Sequence, residues 1–455
     1  VVNISQEPLP DAGSDKDIYE NNTIELDEAN ATDYSSVKWT NNGGDGNFND
    51  ETALNPEYTP GTNDETSGSV LLTLTASPQT PCSADKSDDM VLNIKELPSV
   101  DIIASDYICE GEDYVFDASD INASAYATIE WTKNGDGILI DEDTETPEYS
   151  PGPQDLIDGE VELTVTVYSE DFSQSDSDQM TLFISEYPSV DAGSDENVCE
   201  STTNYPLDGT ATNYSSVEWT STGTGTILNN NNLNTGYPIS AADITAGSVT
   251  FTLEATGVDG CASTIVSDDR QIVFVAEPAV NAGANAIICS DSDYDNTDAT
   301  ASDYASLAWS TDGDGTFSDN DVLNPTYTPG PTDISNGTVR LTMTATPNSP
   351  CADDVSDFLD LTIEEAPSGT AGADQESCGT ADVSLSGASA NNFTTVEWST
   401  DGTGSFDSES LLNPVYTPTT ADLASGSVTL TLTINGNTPC STPAIDELTL
   451  TLQEP

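Results

Sequence analysis

Residues 214–255 read YSSVEWTSTGTGTILNNNNLNTGYPISAADITAGSVTFTLEA. Near the end of this stretch Val249, Phe251 and Leu253 alternate with polar residues, the period-two mark of a strand buried on one face. Near its start Val217 and Trp219 share one face of another strand, and Gly223 and Gly225 supply the positive φ angles of a tight turn. Tyr237 and the pair Asp243/Gly247 lie between. The same marks recur along the whole chain. Tryptophan falls at Trp39, Trp131, Trp219, Trp309 and Trp398, at spacings of 92, 88, 90 and 89 residues. An aromatic precedes each by five residues, a Gly-rich turn follows, and a tyrosine comes 18 or 19 residues later (Tyr58, Tyr149, Tyr237, Tyr327, Tyr416). A DxxxG element comes next, led by Asp64, Asp155, Asp243, Asp333 and Asp422. Five copies of one ruler mean five tandem units of about 90 residues.

Helical periodicity is absent from the units. About seven short strands, with a core tryptophan on the third, describe an all-β, immunoglobulin-like sandwich. The expected organisation is a tandem array forming an extended rod, with repeats at 10–98, 99–188, 189–278, 279–367 and 368–455. Residues 1–9 read as the last strand of a preceding repeat, because VVNISQEP resembles the closing segments VLNIKELP and TLFISEYP. The sequence is thus expected to be a window on a longer array. Pro98, Pro188, Pro278 and Pro367 mark short joints.

Composition removes several functions. The 455 residues carry 81 acidic and 7 basic side chains, a net charge of −74, and no histidine. Nucleic acid and anionic membrane surfaces are polyanions that such a chain would not approach. Without imidazole there is no Ser-His-Asp or Cys-His catalysis. No apolar run is long enough to span a bilayer as a helix, so membrane insertion is not expected. A glycosidase would need two carboxylates set apart from the rest, yet every acidic cluster follows turn chemistry shared by the repeats.

The eight cysteines occupy two repeat positions. The first holds Cys109, Cys199, Cys289 and Cys378, with Tyr19 in repeat 1; the second holds Cys82, Cys261, Cys351 and Cys440, with Ser173 in repeat 2. Pairing within repeats leaves two orphans. Pairing each first position with the second position of the following repeat gives Cys109–Cys261, Cys199–Cys351 and Cys289–Cys440. Tyr19 and Ser173 then face each other, and Cys82 and Cys378 point to repeats outside the sequence. Interdomain staples are the leading expectation; within-repeat pairs and free thiols are the alternatives.

Calcium is the one cofactor the residues suggest. Asp136, Asp312 and Asp314 in the Gly-rich turns, and Asp11/Asp15, Asp191/Asp195 and Asp268/Asp269 near the joints, offer hard oxygen ligands, but none falls in an EF-hand loop. The competing reading is that Asp-Gly makes turns and surplus carboxylates keep the chain solvated. The outward Ser/Thr rows are either solvated strand faces or neutral stripes along which parallel chains pack into a homo-oligomeric filament.

The pattern AGxD…C…L…W…GxG…YTP…D…GxVxLTLTA…C…LxI…P resembles the PKD-like and Ig-like repeats in giant surface proteins of gliding Bacteroidetes. It departs from true PKD domains at Thr40, Thr220, Ser310 and Ser399, where those domains continue a W-D-F-G-D motif. The resemblance implies export by the type 9 route and a part in adhesion, motility or a surface appendage. The expected function is therefore a non-enzymatic, extracellular stalk or filament segment; the alternative is a set of glycan-binding modules attached to a secreted polysaccharide-degrading enzyme.

Overall fold

A computed structural model describes residues 5–454. Repeat 1 shows the plan. Its strands are β1 (Leu9–Asp11), β2 (Lys16–Tyr19), β3 (Ile24–Glu25), β4 (Asn30–Thr32), β5 (Tyr34–Thr40), β6 (Asn47–Phe48), β7 (Glu57–Thr59), β8 (Ser69–Pro78) and β9 (Lys86–Lys95), with one helix, α1 (Thr62–Ser67). They form a four-stranded sheet β2-β9-β8-β5, a three-stranded sheet β3-β7-β6 and a two-stranded β1-β4 ribbon. The long strands alternate as the sequence demands. Val70, Leu72, Leu74 and Ala76 of β8 are buried with Met90, Leu92 and Ile94 of β9, while Thr73 and Thr75 face outward. Trp39 on β5 stands opposite Leu74 and is fully buried, as are its four counterparts to within 3%. Truncating such a side chain to alanine costs roughly 3–5 kcal/mol. The chain is a tandem array of five Ig-like sandwiches, each with its own core.

Four details differ from the sequence reading. Gly223 and Gly225 do not have positive φ; glycine is required there because a Cβ would fall 2.0 Å from Tyr237 Oη and 2.3 Å from Pro238 O respectively. The first strand is split, because the chain kinks at Gly13 (φ +88°) and passes from β4 to the far edge, where β2 runs parallel to β9. Small ribbons like this raise the count to nine strands in four repeats and eight in repeat 3. Helix is present, as one six-residue turn per repeat at the DxxxG element, closed by a glycine in the left-handed region such as Gly68 (φ +70°). Of the proposed leading strand 1–9, residues 1–4 lie outside the described residues, and within 5–9 only Leu9 belongs to a strand.

Candidate functional site: buried aspartates and stapled joints

Two constructions recur through the array. The first lies inside each repeat. The DxxxG aspartate is 1–3% exposed in all five copies and accepts the hydroxyl of the tyrosine six residues before it. In repeat 4, Asp333 Oδ2 takes Tyr327 Oη at 2.6 Å and the backbone N–H groups of Gly315 and Gly330 at 3.0 Å; Oδ1 takes Asp314 N–H at 3.1 Å. One carboxylate thus ties the Gly-rich turn, the strand carrying the tyrosine, and the helix start together. Burial pushes the Tyr327 hydroxyl up to about 12, reinforced by the adjacent carboxylate. At Asp422 burial works upward too, but N–H donors from Thr403 and Thr419 and the hydroxyls of Thr403 and Tyr416 outweigh it, holding the acid at about 2.

A group depressed from 3.8 to about 2 on folding stabilises the fold above the higher value and loses that contribution as pH falls through the lower one. The contribution is about 2 kcal/mol for Asp422. Repeat 5 should therefore hold its tryptophan emission down to about pH 4 and lose stability from there to about pH 2. Asp422→Asn should be weaker at pH 7 with a flatter profile across that window; an unchanged profile would contradict the assignment.

The calcium candidates have protein partners. Asp136 accepts the N–H groups of Gln154 and Asp155, Asp314 those of Thr332 and Asp333, and Asp312 that of Arg340. Near the joints Asp268 accepts Ala192 N–H at 2.8 Å, and Asp88, Asp178, Asp357 and Asp446 make the same bond in the other repeats. Among the described residues no group of three or more acidic or cysteine side chains is gathered as for a metal ion.

The second construction lies between repeats. Cys109 is bonded to Cys261, Cys199 to Cys351 and Cys289 to Cys440, with Cα–Cα separations of 4.6, 4.9 and 4.8 Å. Each bond joins one repeat to the next. At the joint of repeats 2 and 3, the turn Asp259–Cys261 sits on the end of strand Ser105–Cys109. Gly260 is needed there, since a Cβ would fall 2.1 Å from Ile108 O, and its N–H donates to Ser185 Oγ at 3.1 Å. Cys261, Cys351 and Cys440 place Sγ 3.3–3.4 Å from the closing carbonyls Ser185, Val275 and Glu364 of the preceding repeats. Cys82, a free thiol, sits the same way against Ser5 O at 3.6 Å; Cys378 is free and exposed.

The joint of repeats 1 and 2 has no cysteine pair. There Tyr19 Oη donates to Asp171 Oδ1 at 2.9 Å across the joint. Asp171 also accepts the hydroxyl and N–H of Ser173 and the hydroxyl of Ser169, and these bonds hold it well below the usual carboxylate range. The cysteine count points to Tyr19 and Ser173 as facing positions; Asp171, which carries the contact, gave no signal. The buried aspartates did leave one, the unvarying six-residue step from tyrosine to aspartate.

No family model matches the chain, and no curated protein matches it significantly. Solved structures do. The extracellular cadherin domains 1–5 of protocadherin gamma B2 align over 92% of this chain and 93% of theirs at 12% identity and a TM-score of 0.35. Sidekick-1 immunoglobulin domains 1–5 align over 99% and 100% at 12% identity and 0.29. The I-band fragment I67–I69 from titin aligns over 59% and 98% at 13% identity and 0.37. Scores this low do not say what the present chain does.

Proposed function

We propose that the chain is an extracellular, non-enzymatic spacer: five sandwiches laid end to end, whose disulfides hold neighbouring repeats at fixed angles so that the array spans distance and carries load. The observation behind this reading is the pattern of the cystine bonds, each of which crosses a joint and none of which closes a repeat on itself. Disulfides persist in oxidising compartments, which supports an exported protein. The carboxylates support a structural role as well, because the most buried of them accept the same tyrosine hydroxyl in all five repeats. Cys82 and Cys378 are placed to continue the pattern with a further repeat on either side. We further propose, on the resemblance of the repeat pattern to surface proteins of gliding Bacteroidetes, that this spacer belongs to an adhesive or motility appendage exported by the type 9 route.

Five sandwiches at roughly 35–45 Å each would reach on the order of 200 Å. Small-angle scattering of the oxidised protein should give a radius of gyration of about 55–60 Å, as for a thin rod of that length. A value near the ~23 Å of a compact globule of this size would overturn the reading.

A further inference from the structure

Repeat 2 differs from its siblings on one outward face. Its three-stranded sheet consists of Tyr114–Val115, Glu148–Ser150 and Ile138–Ile140, with Glu148 at the centre. In register, Val115 lies beside Glu148 on one side and Ile140 on the other, and Ile138 stands one row along, opposite Ser150. Val115, Ile138 and Ile140 are 61%, 65% and 45% exposed. The corresponding places in repeat 4 hold Asp295, Thr316 and Ser318, and those in repeats 1 and 5 are polar too; repeat 3 holds Pro206, Thr226 and Leu228. The fold therefore does not require apolar residues here. Ile138 and Ile140 are neighbours on this face and Val115 stands across Glu148 from them, and exposed apolar groups gathered on one face with a polar rim mark interaction sites.

The charge at this face selects the partner. Glu148 is half-buried between the two apolar walls, and among the described residues no lysine or arginine lies within ion-pair distance of it. The chain then runs Asp141, Glu142, Asp143 and Glu145 along the rim. A neutral apolar partner would bury Glu148 without a counter-charge, which is costly. A second copy of this chain would bring a −74 surface against its own like. We propose that this face docks a cationic protein segment that presents a lysine or arginine between branched apolar side chains, the cation meeting Glu148 and the apolar groups covering Val115, Ile138 and Ile140.

The probe is a fluorescent peptide of alternating valine and threonine around one central lysine, with a twin carrying glutamate there, titrated at about 150 mM NaCl. The full chain should bind the lysine peptide at least tenfold more tightly than the triple variant Val115→Asp, Ile138→Thr, Ile140→Ser, which carries the residues of repeat 4. Glu148→Gln should weaken binding several-fold without changing the melting temperature, and this variant decides the matter if the triple one folds poorly. The glutamate peptide should not bind. Equal affinity for parent and triple variant would reduce the effect to bulk charge and overturn the proposal, as would absence of binding. Dimers of the parent in sedimentation, abolished by the triple variant, would assign the face to a second copy and overturn it equally.

Discussion

Replacing Asp333 by alanine should strongly destabilise repeat 4 while the other four repeats keep their stability. The side chain is 1% exposed, and its removal strips the acceptor from a buried tyrosine hydroxyl and three backbone N–H groups at once. Each buried donor left without a partner costs about 1–3 kcal/mol, discounted here because the orphans are neighbours and one water can serve several. A net loss of about 3–5 kcal/mol is a large part of the stability of a 90-residue domain. It corresponds to a fall of about 15–30 °C in the melting temperature of that repeat. Hydrogen exchange resolved along the chain would show it as lost protection of strand Thr338–Pro347, with Ser248–Gly257 and Ser427–Gly436 unaffected. Tyr327→Phe removes one bond of the set and should cost about 1 kcal/mol. If Asp333→Ala melts with the parent, the carboxylate is not what fastens turn, strand and helix together.

The fold could be read in the sequence because it rests on burial, and burial leaves a period. Val249, Phe251 and Leu253 point inward because every second residue of a strand must, and the five tryptophans recur at the pitch of the domain. What stayed hidden involves too few residues to show a period. A six-residue helix makes under two turns, so Thr62–Ser67 and its counterparts carry no amphipathic pattern. Their signs were single residues: an aspartate at the third position, a cap at Ser240 or Thr419, a first-position proline at Pro153 and Pro331, and a glycine at the end. The split of the first strand turns on one short step, at Gly13 in repeat 1, and repeat 2 makes it with Ile103 in that place, so no residue type announces it. The aspartates were harder still. With 81 acidic residues, a buried carboxylate looks in the sequence like any solvated one, and Asp333 was visible only through its place in the DxxxG element six residues after the tyrosine. Asp171 was hidden because its repeat position is no guide: Asp259 holds the same place in repeat 3 beside a bonded cysteine, and Asp171 makes its contact where the cysteine pair is missing.

The covalent path through the array makes the load-bearing reading quantitative. Pulled from its ends, an oxidised chain transmits force from Cys109 across to Cys261, along the backbone to Cys289, and across to Cys440. Only the 108 residues before Cys109, the 28 from Cys261 to Cys289 and the 15 beyond Cys440 can extend, 151 in all out of 455. Cys199–Cys351 lies off this shortest path, so Cys199→Ser should leave the final length unchanged. Repeat 1, with a hydrogen bond where its neighbours have a disulfide, is the one domain that can unravel whole. At about 3.5 Å per extended residue the oxidised array should stop at about 530 Å, and after reduction at about 1,600 Å. Single-molecule pulling before and after a reductant measures this ratio directly. A threefold gain in extension on reduction is the predicted result; oxidised molecules that stretch as far as reduced ones would show that force runs through five independent beads, and the stapled rod would have to be given up.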